Sequence, residues 1–141
     1  MYVLNSNKNV IIFKHKPSNT DIELYYRNPT TTDRVGYKNE RIIREGDQIQ
    51  FNVPQTRIKY AEKIITGIRE GDFGHEIDGV VKPLSCVPGS ENYKENWKEI
   101  IKENAPDILE AVAAFVFDDP VEIVPPDEAH DKKNFSTTSK P

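Results

Sequence analysis

The chain has 141 residues, 36% of them hydrophobic and 30% charged, with a net charge of −4. That size suits one domain with a real core, and no apolar run approaches the roughly 20 residues that cross a bilayer. Charge is uneven: from Asp118 onward six acids face three bases, while the remainder is nearly balanced and offers no large field for steering nucleic acid.

The N-terminus lacks a charged start followed by an apolar core, so no secretory signal is expected. Cys86 is the only cysteine, which rules out an internal disulfide and fits a reducing cytoplasm. Val10–Phe13 is a short apolar run. Asp21–Arg27 alternates, with Ile22, Leu24 and Tyr26 on one side. Turn formers in Lys16–Thr20 lie between the two, and together they predict a β-hairpin.

Asn28-Pro-Thr-Thr-Thr-Asp33 reads as a helix start, with Thr30 as cap and Asp33 as the reciprocal acid. The helix is expected to run to about Glu45 and stop at Gly46. Gly36 within it costs roughly 1 kcal/mol relative to Ala. Gln48–Val53 alternates like a strand, or serves as an extended linker. Pro54 suits the first turn of a helix whose stripe, Ile58, Ala61, Ile64, Ile65 and Ile68, continues to Gly71.

Gly71–Gly89 has no clear periodicity, and a small hairpin over Glu76–Leu84 would turn at Asp78-Gly79. The longest apolar periodicity comes next, from Asn92 to Phe117. Trp97, Ile100, Ile101, Ala105, Ile108, Leu109, Val112, Phe115 and Val116 share a face, beneath a cap at Ser90 or Asn92. Pro106 predicts a break near Asn104, with Asn104 capping the second half. The halves would span about 93–103 and 105–117. Residues 118–141 are polar, acidic and proline-bearing and are expected to be a disordered tail, in which Val121, Ile123 and Val124 form an apolar island. The fold class is therefore α+β: an N-terminal hairpin or small sheet, a mostly helical body over 1–117, and the tail.

Candidate chemistry is thin. Asp72, His75, Glu76 and Asp78 gather in the glycine-rich loop, but their spacing matches no metal motif, and a solvated turn is the better reading. Cys86 has no sequence-local base, and His15, His75 and His130 are scattered. No catalytic, cofactor or metal residue is assigned. Arg34, Lys38 and Arg41 share a helix face near Tyr25, Tyr26 and Tyr37, which suits a regulatory or nucleic-acid-binding module. The interleaved Glu40 and Glu45 favour a solvated face.

Tyr26-Arg-Asn-Pro-Thr-Thr-Thr-Asp-Arg-Val-Gly-Tyr37, Thr56–Tyr60, Ile65–Phe73, Tyr93–Glu99 and Ala105–Ala111 resemble segments of small prophage-encoded proteins. The order of hairpin, Pro-Thr helix start, helical body and polar tail also resembles phage tail assembly chaperones. The resemblance covers about residues 9–117. It implies a non-enzymatic morphogenesis protein, cytoplasmic in a bacterial host or carried in the virion. Its partner would be a tape-measure or tail tube protein, with a homo-oligomer as a further expectation. No membrane role and little nucleic-acid binding are expected. Such a protein binds an amphipathic segment in apolar grooves, and Phe73, Tyr93, Trp97 and Phe115 are the candidate partner-binding aromatics.

Overall fold

The computed structural model describes residues 1–118 and 120–127. Alternation decides the first element: β1 (Asn9–His15) and β2 (Thr20–Tyr26) pair antiparallel from Asn9↔Tyr26 to His15↔Thr20. Ile11, Phe13, Ile22 and Leu24 turn to the core, while Val10, Ile12 and Lys14 turn outward. A third strand, β5 (Ile65–Ile68), lies on the other side of β2, giving the order β1-β2-β5.

Helix α1 (Thr31–Glu40) begins on the expected capping box. The Asp33 N–H donates to Thr30 Oγ1 at 3.1 Å, and the Thr30 N–H donates to the Asp33 carboxylate at 2.9 Å. Burial of Asp33 would raise its pKa, but hydrogen bonds from Arg27 and Thr30 outweigh it and hold the group below the ordinary aspartate range.

The helix does not reach Glu45. It ends at Glu40, and β3 (Ile42–Glu45) folds back on β4 (Gln48–Phe51) around Gly46, whose φ is +61°. The β-branched pair Ile42-Ile43 gains a partner strand through this two-residue turn, which a helix would forgo. The strand over 48–51 is present, and the linker alternative is set aside.

Helix α2 (Val53–Ile64) carries Pro54 in its first turn but stops before the expected Gly71. Its last apolar residues form β5 instead, with Leu24 opposite Ile68 and Tyr25 opposite Gly67. Helical spacing and strand pairing both bury Ile65 and Ile68, and the open edge of β2 decides between them.

The loop hairpin is as expected: β6 (Gly74–Ile77) pairs with β7 (Val80–Pro83), and Asp78 and Gly79 both have positive φ. Backbone hydrogen bonds tie Asn92 and Lys94 to Ser85 across a bridge at Tyr93, so α3 begins only at Trp97 and runs to Asn104, with neither Ser90 nor Asn92 capping it. Ala105, at φ −142° and ψ 57°, breaks the chain ahead of α4 (Pro106–Phe117). The break falls where Pro106 placed it. Asn104, however, donates its side-chain amide to the Ile100 carbonyl and does not cap α4.

One cluster of buried residues draws on all four helices and on β2 and β5. Its centre is the contact between α2 and α4. No helix among the described residues is long and apolar enough to cross a membrane. Residues 120–127 lie exposed beyond α4. The rest of the expected tail, Asp119 and 128–141, lies outside the described residues.

Candidate partner-binding surface

The junction of α1, α2 and α4 is built around Asp118, the residue just past α4. The Tyr37 hydroxyl donates to its two oxygens at 3.0 and 3.1 Å. Arg41 Nη1 donates at 3.2 Å, and Arg57 donates through Nε and Nη2 at 3.1 and 2.9 Å. Below the carboxylate, Tyr37 stacks on Phe117 with ring centroids 4.5 Å apart, and Tyr60 meets both rings edge-on. Burial raises the Tyr37 pKa and the carboxylate adds to the rise, so the phenol stays a donor.

A cleft of about 670 Å³ opens beside this cluster, lined by Arg34, Lys38, Arg41, Phe117, Pro120 and Val121 among others. The three cations therefore share a face, as their spacing predicts. Arg41 is committed to Asp118, whereas Arg34 and Lys38 have no acidic partner among the described residues. A second cleft of about 630 Å³, which shares Arg34, Asp118, Pro120 and Val121, is walled by Tyr2, Tyr26 and Phe115.

The β3–β4 hairpin projects from the base of the first cleft, where the Asn52 N–H donates to the Arg41 carbonyl at 2.8 Å. Every residue of both strands is exposed. Cross-strand pairs put Ile42, Phe51, Arg44 and Ile49 on one face. Phe51 is 76% exposed and Ile49 54%, so among the described residues that face has nothing under it.

The four candidate aromatics are not gathered at one place. Phe73 and Tyr93 are half-buried on either side of the Leu84–Ser85 segment; the Leu84 N–H donates to the Phe73 carbonyl, and Tyr93 bridges to Ser85. Trp97 is buried at the start of α3. Phe115 is 62% exposed and lines the second cleft. Helical spacing places it on the apolar face, and the structure does not. The buried stripe of α4 runs through Ile108, Leu109, Val112, Ala113, Val116 and Phe117, and Phe115 lies past its edge. Ile108, Leu109, Val112 and Val116 are buried as the helical spacing predicts, so the stripe carries across the break and Phe115 alone departs from it.

The glycine-rich loop has a structural use. The Asp72 carboxylate accepts from the Glu23 N–H at 2.8 Å and from Arg69 Nε at 3.0 Å, tying the loop to β2. Among the described residues no group of three or more His, Cys, Asp or Glu side chains is placed to hold a metal. Cys86 is half-buried against β5, with Sγ 3.3 Å from the Ile68 nitrogen.

Sequence reasoning missed the apolar hairpin face and Asp118. The first had a readable signal, since Ile42 and Phe51 sit symmetrically about Gly46-Asp47. Asp118 had none, because its partners lie 61 to 81 residues away.

No family model, curated protein or solved structure matches the chain.

Proposed function

We propose that this chain is a non-enzymatic protein-binding factor, a chaperone-like morphogenesis protein of a phage or prophage. The observation that carries the binding role is the uncovered face of the β3–β4 hairpin, with Ile42, Ile49 and Phe51 exposed together. An isolated two-stranded hairpin is marginally stable in water. A partner laid against this face supplies burial that no described residue of the chain provides. Exposed Phe115 and Val121 in the wall of the second cleft add further apolar surface. The phage context rests on the resemblance in Tyr26–Tyr37 and the later segments.

The test is co-expression with a tape-measure protein and a tail tube protein encoded in the same genome. The wild-type chain is expected to co-purify with one of them. Ile49→Asp combined with Phe51→Asp should abolish co-purification and leave the melting temperature within a few degrees, since both side chains are exposed. Capture of neither protein by the wild type, or equal capture by the variant, would overturn the proposal.

A nucleic-acid-binding role for the Arg34, Lys38 and Arg41 face is the second reading, supported by their shared cleft. Asp118 neutralises Arg41, leaving two cations. Two phosphate contacts give a log–log salt slope near −2, and DNA binding with that slope, lost on replacing Arg34 and Lys38, would favour this reading over the first.

A further inference from the structure

The three-stranded sheet has two edges, and the fold treats them differently. Beyond β5, the Cys86 thiol takes the Ile68 N–H at 3.3 Å and reaches the Ile68 carbonyl at 3.6 Å, so that edge is covered. Beyond β1 lies no strand among the described residues.

The direction of each β1 backbone group follows from β2. The Glu23 N–H donates to Asp72 and the Glu23 carbonyl accepts from the Arg69 N–H, so Glu23 faces away from β1. Its neighbours Ile22 and Leu24 then face β1, where they pair with Phe13 and Ile11. Val10, Ile12 and Lys14 are left pointing their N–H and C=O groups out of the sheet. Among the described residues, none of these outward groups has a backbone partner. Lys14 is the one charged side chain on this edge, and no proline, bulge or inward-pointing charge blunts it further. The side chains of Val10 and Ile12 are themselves 50% and 62% exposed on the outer face.

We propose that β1 is a self-pairing edge, and that its occupant is β1 of a second copy of this chain, antiparallel about a two-fold axis at Ile12. That register sets Ile12 opposite the Ile12 of the other copy, and Val10 opposite its Lys14. All three outward residues then exchange backbone hydrogen bonds, and the sheet becomes six-stranded. Strand length and charge together select the register, since centring on Val10 would set Ile12 and Lys14 opposite Lys8 and Ser6, before the strand begins. Centring the pairing on Lys14 would oppose two ammonium groups directly. Centring it on Ile12 lays each Lys14 stem along an apolar valine, and Lys8 meets Lys16 only past the strand ends. The contact is isologous, as a closed dimer requires. It involves one strand and two apolar side chains per copy, which is small for a stable interface. The dimer is therefore a weak one, dissociating on dilution.

The test is sedimentation equilibrium on the full chain over a wide range of concentration. The wild type is expected to pass from monomer to dimer as concentration rises into the hundreds of micromolar, and a monomer throughout would overturn the proposal. Ile12→Lys and Ile12→Glu each place like charges opposite one another at the axis, and each should weaken self-association by more than about tenfold. Because Ile12 is exposed, both variants should keep the wild-type circular dichroism. The deciding measurement is an equal mixture of the two. Opposite charges then meet at the axis, and dimer should return. Variants that associate like the wild type, or a mixture that stays monomeric, would refute pairing about Ile12.

Discussion

Gly36 shows how a single residue is set by what lies across from it. Its place inside α1 is unfavourable on helix propensity, and Ala would ordinarily gain about 1 kcal/mol there. The Tyr60 hydroxyl packs directly against it, so an added Cβ would lie well inside van der Waals contact. That hydroxyl is not free to retreat. It donates to the Glu40 carboxylate, and burial together with this hydrogen bond pushes its pKa up to about 12. Gly36→Ala should therefore destabilise the protein by about 1–3 kcal/mol, as overpacking does elsewhere. Removing the obstructing oxygen with Tyr60→Phe should recover much of that loss. Chemical denaturation of the two single variants and the double variant measures this. A Gly36→Ala protein as stable as the wild type would refute the steric account.

At the level of the element, α3 depends on very little. It has eight residues, too few to persist alone, and only Trp97 and Ile101 are buried. Lys98 adds a tie to α2, donating to the Glu62 carbonyl at 3.1 Å, and burial lowers its pKa. Trp97→Ala removes the larger anchor and leaves a cavity, at a cost of about 3–5 kcal/mol. The melting temperature should fall sharply, and the indole fluorescence of the wild type should be blue-shifted from that of free tryptophan. Emission like free tryptophan, with an Ala variant that melts unchanged, would make Trp97 a surface anchor instead. The elements that were legible share a feature: their cause is local. The capping box of α1, the Asp78-Gly79 turn and the break before Pro106 each act within a few residues. The two over-extended helices failed for the opposite reason. Ile42–Glu45 and Ile65–Ile68 carry β-branched residues compatible with either state, and the strand beside them tips the balance.

For the whole molecule, the boundary between body and tail falls one residue later than composition suggests. Asp118 belongs to the body, because α1 and α2 converge on it through Tyr37, Arg41 and Arg57. Asp118→Ala should cost about 1.5–3 kcal/mol, the range for hydrogen bonds to a charged group. A chain truncated after Asp118 should lose less than about 2 kcal/mol, since residues 120–127 are exposed. Thermal unfolding of the two proteins tests the boundary. The reverse order of stabilities would mean that the later residues, and not the carboxylate, hold the junction together.

The sequence alone determined the α+β class, the N-terminal hairpin, the start of α1, the hairpin at Asp78-Gly79 and the burial of Trp97. Each follows from periodicity or from groups close along the chain, where the interacting partners can be read directly. Only the tertiary structure decided that Ile65–Ile68 completes a sheet, that Phe115 faces outward, that Arg41 is held by Asp118 and that one edge of β1 has no strand beside it among the described residues. Those outcomes depend on which groups compete for the same partner across long sequence separations. A hydrogen-bonding edge or a buried carboxylate is satisfied by whatever the fold brings to it, and residue type by itself does not specify the neighbour.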